Sequence, residues 1–120
     1  NLVGNALRHA SSTDTHLAVN IRAGQNRSQE IWVQVEDSGL GLSEEALERA
    51  FDRFYSSQAG QGGGLGLAIV ETLVNLHGGR VSAANTLAGG AQFTVKLPSS
   101  HHKHPLQHES SRVDATRRVA

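Results

Sequence analysis

The segment from Gly60 to Val70 constrains the fold most, because a stretch almost without side chains leads into an apolar run long enough to form a helix. Glycines adopt backbone angles that other residues resist and let a ligand approach the main chain. Exposed amides at a helix start, with the positive end of the helix dipole behind them, bind anions such as phosphate. The spacing excludes two familiar phosphate-binding loops. A Walker loop needs Lys after its last glycine, where this chain has Leu67, and the dinucleotide-binding fingerprint needs its third glycine three positions after the second, whereas Gly62, Gly64 and Gly66 are evenly spaced. A glycine-rich connector before an ordinary core helix is the alternative.

Composition limits the chain to one small domain. It has 120 residues, 38% of them hydrophobic, and equal numbers of basic and acidic residues, 11 each, so it lacks the basic field that nucleic-acid binding usually needs. Without cysteine it has neither disulfides nor thiolate metal sites. No apolar run is long enough to cross a bilayer, and no signal peptide is visible. Because the chain begins without methionine inside a predicted helix, we expect it to be a fragment of a longer protein.

The first ten residues predict an amphipathic helix from Asn1 to Ala10. Its polar side carries Asn1, Asn5, Arg8 and His9. An amide oxygen suits magnesium, a guanidinium suits phosphate, and a flat ring suits a ribose or base. The alternative is a solvated helix face with no ligand.

A hairpin is predicted next, with strands His16 to Ala23 and Ile31 to Glu36 joined by a turn over Gly24 to Gln29. The period of two places Asp37 on the inward side, where a carboxylate needs hydrogen-bond donors. The glycines of Ser38 to Leu42 would let a flat ligand approach, so Asp37 could accept from an exocyclic amine such as that of adenine. An aspartate that only closes a turn is the alternative.

The middle of the chain predicts a short helix capped by Ser43 and ending at Ala50, followed by the aromatic segment Phe51 to Tyr55. This segment is either part of the core or a hydrophobic hinge for a mobile lid. A central core helix is predicted from Leu65 to His77, where Gly78 and Gly79 end it.

The last folded part is predicted to be two strands, Arg80 to Asn85 and Ala91 to Leu97, closed by Pro98. The segment from Ser99 to Ala120 has four histidines, several serines and few aliphatic residues, so we expect a disordered tail. A histidine-rich metal site there is the alternative, although no predicted element fixes its geometry.

Together these segments describe a nucleotide site, and at this point the chain resembles the ATP-binding catalytic domain of sensor histidine kinases, in the larger group with gyrase, Hsp90 and MutL. NLVGNALRHA resembles the N box, DSGLGL the first glycine box, FDRFY the F box, GGGLGLAIV the second glycine box, and GGAQFTVKLP the terminal strand motif. Five motifs in register are a specific signal where each alone is weak.

The resemblance implies an α/β two-layer sandwich, with a mixed sheet against helices that enclose ATP and Mg²⁺. It implies that Asn5 binds magnesium and that Asn5 and Arg8 serve catalysis. The implied nucleotide-binding residues are Asn1, Asn5, Arg8, His9, Asp37, Gly39, Gly41, Leu42, Phe54, Tyr55, Gly62, Gly64, Leu65, Gly66 and Leu67. This interpretation requires that Asn5, Asp37 and the backbone around residues 62–66 surround one cavity.

The reaction implied is transfer of the γ-phosphoryl group of ATP to a histidine on a separate dimerisation domain, and then to a response regulator. The resemblance also implies a homodimeric parent anchored in the bacterial inner membrane, with this domain in the cytoplasm and without membrane or nucleic-acid contact of its own. Residues 1–98 would form the catalytic domain, incomplete at its N-terminus, and residues 99–120 the disordered tail. The acceptor histidine is absent, and Ser56-Ser57 stands where many members have a basic residue.

Two other functions stay open. A nucleotide-binding interaction module would keep the pocket residues and transfer nothing. ATPases of the gyrase and Hsp90 type resemble each other in having an acidic residue in the N box that activates water. Residues 1–10 contain no Asp or Glu, which disfavours this function.

Overall fold

Alternation of apolar and polar residues builds a sheet from two hairpins. The computed structural model describes residues 1–10, 18–56 and 64–99, with only the backbone for residues 9 and 10. The elements in chain order are α1 (Leu2–Ala10), β1 (Val19–Gln25), β2 (Ile31–Asp37), α2 (Glu44–Arg49), α3 (Gly66–Leu76), β3 (Arg80–Asn85) and β4 (Ala91–Leu97).

The four described strands lie in the order β1-β2-β4-β3, and every neighbouring pair is antiparallel. Val35 pairs with Phe93, and Phe93 pairs with Ala83, so the apolar positions of the strands line one face. Phe93 is 1% exposed and is the largest fully buried side chain among the described residues. The opposite face carries polar pairs such as Gln34 and Thr94, whose side chains are hydrogen-bonded at 3.2 Å.

Two helices cover the apolar face of the sheet. Helix α1 packs on β2 and β1, α3 packs on β3 and β4, and the two helices contact each other. This arrangement confirms the predicted two-layer α/β sandwich. The described sheet is antiparallel throughout rather than mixed, because both hairpins and the central β2–β4 pair run antiparallel.

The prediction that the main helix is a central core helix is wrong for the described residues. Helix α3 buries Ala68 and Val74 against the sheet, whereas Ile69, Leu73 and Leu76 are exposed. A helix that lies on a single sheet buries one face only, and no described element covers the other face. Among residues 1–10, 18–56 and 64–99, therefore, only part of the apolar surface of α3 is buried.

Most of the predicted boundaries are confirmed. The bounds of β3 and β4 agree with the prediction, and Ser43 caps α2 by accepting the Ala46 amide at 3.1 Å. Strand β1 continues past Ala23 to Gln25, because Gly24 and Gln25 still pair with β2. The predicted loop over residues 11–15 and the predicted start of β1 at residue 16 lie outside the described residues. Within the described part of the chain, no helix is both long and apolar enough to cross a membrane.

Candidate functional site

Asp37 ends strand β2 on the buried side, as predicted, and is 5% exposed. Its Oδ1 accepts the backbone amide of Gly39 at 2.9 Å and that of Ala91 at 3.3 Å. No described residue donates to Oδ2. Because no buried side-chain oxygen in the described residues lacks a partner, Oδ2 is still reachable from outside the protein. The carboxylate thus has one atom held by the protein and one available to a ligand.

The loop that follows Asp37 is held from behind by the β3–β4 hairpin. Gly41 has a φ of 78°, and a Cβ there would lie 2.5 Å from the carbonyl oxygen of Gly89. The side chain of Asn85 accepts the Leu42 amide and donates to the Leu42 carbonyl, both at 2.7 Å. The hairpin is therefore part of the site, although the sequence predictions assigned site residues only to the four earlier motifs.

The polar side of α1 begins beside the start of α3. Asn1 Nδ2 donates to the carbonyl of Gly66 at 3.2 Å, which joins the first motif to the second glycine-rich motif. Asn5 lies one turn further along, where its backbone N–H donates to the Asn1 carbonyl at 2.9 Å, and the residue is half-buried. Arg8 is exposed. The backbone of His9 belongs to α1, and its side chain lies outside the described residues.

The aromatic segment is tied to the glycine loop through its backbone. The amide of Phe54 donates to the carbonyl of Gly64 at 2.9 Å, and both residues adopt left-handed angles, with φ of 64° and 65°. A Cβ on Gly64 would lie 2.6 Å from the carbonyl carbon of Phe54, so only glycine fits there. The resemblance implies a lid over about residues 55–63, and this contact joins the two sides of it; residues 57–63, with Gly62, lie outside the described residues.

The three aromatic side chains of this segment lie in different environments. Phe51 packs edge-on against Phe93, with the ring centroids 6.2 Å apart, as the core interpretation predicts. Phe54 is 76% exposed and does not join the core. Tyr55 lies under the guanidinium of Arg49, which is 4.6 Å from the ring centroid. The segment therefore combines a core anchor with an exposed apolar side chain.

The start of α3 has the properties of an anion site. Leu65 occupies the N-cap without a side-chain hydrogen bond, and the first turn contains no acidic residue. Gly66 is the first helical residue, and a Cβ there would approach Asn1 to 3.8 Å, which is an ordinary contact. The first amides of a helix have no intrahelical partner and favour negative charge. Leu65 is 41% exposed, whereas Leu67 packs into the core.

One core cluster joins all five motifs. It consists of Ala50, Ala91 and Phe93, with Leu2, Leu42, Phe51, Leu67 and Ala83 packed against them. Each motif contributes at least one of these residues, so segments that are far apart in sequence are held around one point. No hydrogen bond among the described residues joins Asp37 or the side chain of Asn5 to Gly64–Leu67. That Asn5, Asp37 and the backbone around residues 62–66 surround one cavity stays a prediction.

Comparison with known proteins now identifies the family. Residues 1–101 match the model of the histidine kinase-, DNA gyrase B- and HSP90-like ATPases. The chain belongs to this family of ATP-binding domains, which confirms the resemblance and the fold class stated above.

Particular relatives are signal transduction histidine-protein kinases. The chain is 41% identical over 103 residues to the signal transduction histidine-protein kinase AfsQ2 of Streptomyces coelicolor, a match that covers 82% of this chain and 18% of AfsQ2. It is 40% identical to BaeS of Escherichia coli, with 82% and 21% covered. The chain therefore spans about a fifth of the length of these relatives.

Solved structures agree with this result. The mycobacterial sensor histidine kinase MprB superposes with a TM-score of 0.67 at 29% identity, covering 81% of this chain and 66% of that structure. Full-length ShkA in complex with AMPPNP superposes with a TM-score of 0.69 at 31% identity, covering 81% and 19%. The layered arrangement of helices and sheet is thus shared with histidine kinases.

Proposed function

We propose that this chain is the ATP-binding catalytic domain of a two-component sensor histidine kinase. It would transfer the γ-phosphoryl group of ATP to a histidine on a separate dimerisation domain, for relay to the receiver domain of a response regulator. Within this proposal the parent is a homodimer anchored in the inner membrane, and the domain works in the cytoplasm. AfsQ2 and BaeS are signal transduction histidine-protein kinases and MprB is a sensor histidine kinase, which favours this function over the other functions of the family.

The observation that carries the proposal is that the protein donates hydrogen bonds to Oδ1 of Asp37 and, among the described residues, none to Oδ2. Oδ2 is reachable from outside but belongs to a residue that is only 5% exposed, so a ligand that donates a hydrogen bond to it is favoured. The exocyclic amine of adenine is such a donor, and the amides of Gly39 and Ala91 keep Oδ1 oriented so that Oδ2 receives it. The close-packed backbone at Gly41 and Leu42 would then form the wall beside the base.

Asn5 fits the role of magnesium ligand. No group of three or more His, Cys, Asp or Glu side chains in the described residues forms a metal site. Magnesium beside a nucleotide needs no such group, because it keeps waters and binds through one or two protein oxygens plus phosphates. When bound, it supplies charge neutralisation to the triphosphate. The Asn5 amide oxygen would hold it, and Arg8 on the same helix would bind a phosphate oxygen.

The triphosphate would lie at the start of α3. The backbone N–H groups of Gly64, Gly66 and Leu67 would donate to its oxygens. Gly62, which lies outside the described residues, is predicted to do the same. The contact between Phe54 and Gly64 gives the predicted lid a fixed base on both sides. Phosphoryl transfer asks a protein mainly for positioning and for stabilisation of charge, and these residues supply both.

A reconstituted transfer reaction tests the proposal. The full chain is mixed with radiolabelled ATP, Mg²⁺ and the separately produced dimerisation domain of the parent, and acid-labile phosphate on that domain is measured. We expect labelling that is lost in Asn5→Ala. Asn75→Ala is the matched control, because Asn75 is an exposed asparagine on α3 whose side chain has no hydrogen bond among the described residues.

Each alternative has its own outcome. Binding of ATP without transfer would identify a nucleotide-binding interaction module. Release of inorganic phosphate without labelling of protein would identify an ATPase of the gyrase or Hsp90 type. Equal loss of transfer in Asn5→Ala and Asn75→Ala would remove the role assigned to Asn5.

A further inference from the structure

Asn85, the last residue of β3, makes an unusual contact for a strand end. Its side-chain amide pairs with both backbone groups of Leu42, accepting the N–H and donating to the C=O at 2.7 Å each. The two residues are 43 positions apart in sequence. The side chain of Asn85 thus replaces a strand neighbour for a loop residue that has no strand partner of its own.

The position of Leu42 matters because it ends the loop that begins at Asp37. At one end of this loop, Asp37 is held by the amides of Gly39 and Ala91. At the other end, the Leu42 side chain packs against the core cluster of Ala50, Ala91 and Phe93. Asn85 fixes the backbone of that second end, so the loop is restrained on both sides of its glycines.

The fit between hairpin and loop is close enough for small movements to be transmitted. A Cβ on Gly41 would lie 2.7 Å from Asn85 Oδ1 and 2.5 Å from the Gly89 carbonyl oxygen. Gly41 also has the left-handed φ of 78°. The backbone at Gly41 therefore lies directly against Asn85, and loss of the Asn85 amide would leave a gap beside the most tightly packed part of the loop.

Asn26, at the other end of the sheet, offers a control for a purely structural role of such a side chain. Asn26, in the β1–β2 turn, accepts the Glu30 amide at 2.9 Å and donates to Glu30 Oε1 at 3.1 Å. Asn26 and Glu30 are four residues apart, so this contact stays within its own turn. Strand β2 separates it from Asp37 by about 20 Å at the usual rise per residue.

We propose that Asn85 is a positioning residue of the adenine-binding loop, and that its paired hydrogen bonds to Leu42 set the placement of Gly39 and Gly41 beside the base. This inference rests on the proposed function, since it assigns the loop to adenine. Asn85 acts through Leu42 and does not itself contact the nucleotide.

The test measures the binding of ATP and of GTP to the full chain by calorimetry, together with urea unfolding. The loss of one hydrogen bond changes an equilibrium constant, here the Kd for ATP, by up to about tenfold. We therefore expect Asn85→Ala to weaken ATP binding by about tenfold or more. GTP binding should change little, so the ratio of ATP to GTP affinity should fall. A residue that only stabilises the fold would not change this ratio.

Two further variants keep the test decisive. Asn85→Asp retains the acceptor for the Leu42 amide and loses the donor, so it should bind ATP with intermediate affinity even if Asn85→Ala does not fold. Asn26→Ala loses three side-chain hydrogen bonds, from the Glu30 amide, from the Ser28 hydroxyl and to Glu30 Oε1, and should leave the ATP affinity unchanged.

Three outcomes would overturn the inference alone. They are a wild-type affinity for ATP in the folded Asn85 variants, an unchanged ratio of ATP to GTP affinity in Asn85→Ala, and an equal loss of ATP affinity in Asn26→Ala. Absence of ATP binding by the wild-type chain would overturn the proposed function as well.

Discussion

Gly90 should not tolerate even a methyl group, although its φ lies outside the left-handed region. A Cβ at this position would lie 1.8 Å from the carbonyl oxygen of Asp37, whereas ordinary contacts begin at 3.4 Å, so the two segments must separate by about 1.6 Å. The obstacle is main chain, which cannot rotate away as a flexible side chain can. The same movement would lengthen the bond from the Ala91 amide to Asp37 Oδ1, now 3.3 Å.

The expected cost for Gly90→Ala lies at the upper end of the range for overpacking, about 3 kcal/mol of unfolding free energy. For a domain of this size each kcal/mol changes the melting temperature by about 4–8 °C. Gly4→Ala is the matched control, because nothing lies within 4 Å of its Cβ position in α1. Alanine there should stabilise the chain by up to about 1 kcal/mol through helix propensity.

Urea and thermal unfolding of the two variants measure both effects, and ATP affinity is measured alongside. We expect opposite signs, with a large loss of stability and of ATP binding for Gly90→Ala and a small gain in stability for Gly4→Ala. A Gly90→Ala variant within about 0.5 kcal/mol of the wild type would contradict the close approach of the hairpin to Asp37.

Two smaller perturbations test other parts of the fold. Ser43→Ala removes the acceptor for the Ala46 amide at the start of α2 and should destabilise the chain by about 1 kcal/mol, measured by urea unfolding. Gly24→Ala would place a Cβ 2.7 Å from the ring of Trp32, which must therefore tilt away from β1. Because this is the single tryptophan of the chain, its fluorescence should move to longer wavelength, and an unchanged spectrum would mean that the ring does not lie over Gly24.

Period-two alternation predicted the sheet well. It gave the bounds of β3 and β4 and the inward direction of Asp37, because burial on one face of a strand decides both. Helix capping gave the start of α2 in the same way, since the Ser43 hydroxyl acts within its own turn. Features that depend on neighbours in sequence were therefore predictable.

Features that depend on distant contacts were not. The left-handed, exposed conformation of Phe54 follows from its bond to Gly64 across the predicted lid, which no local pattern indicates. Asn85 looked like an ordinary strand end, and its pairing with Leu42 exists only because the hairpin folds back on the loop. The exposed stripe of α3 was missed because apolar composition does not tell how many faces of a helix find a partner.

The proposed binding of the adenine base by Asp37 can be tested with the variant Asp37→Asn. The amide oxygen of asparagine can still accept from Gly39 and Ala91, which places the new NH₂ group where Oδ2 now lies. That group would face the amine of adenine donor to donor. Calorimetry with ATP should show a loss of affinity of about 100-fold or more, with little change in urea unfolding, because a site built around a hydrogen bond rejects a partner that cannot make it. An unchanged ATP affinity in a stably folded Asp37→Asn variant would show that Asp37 does not bind the base.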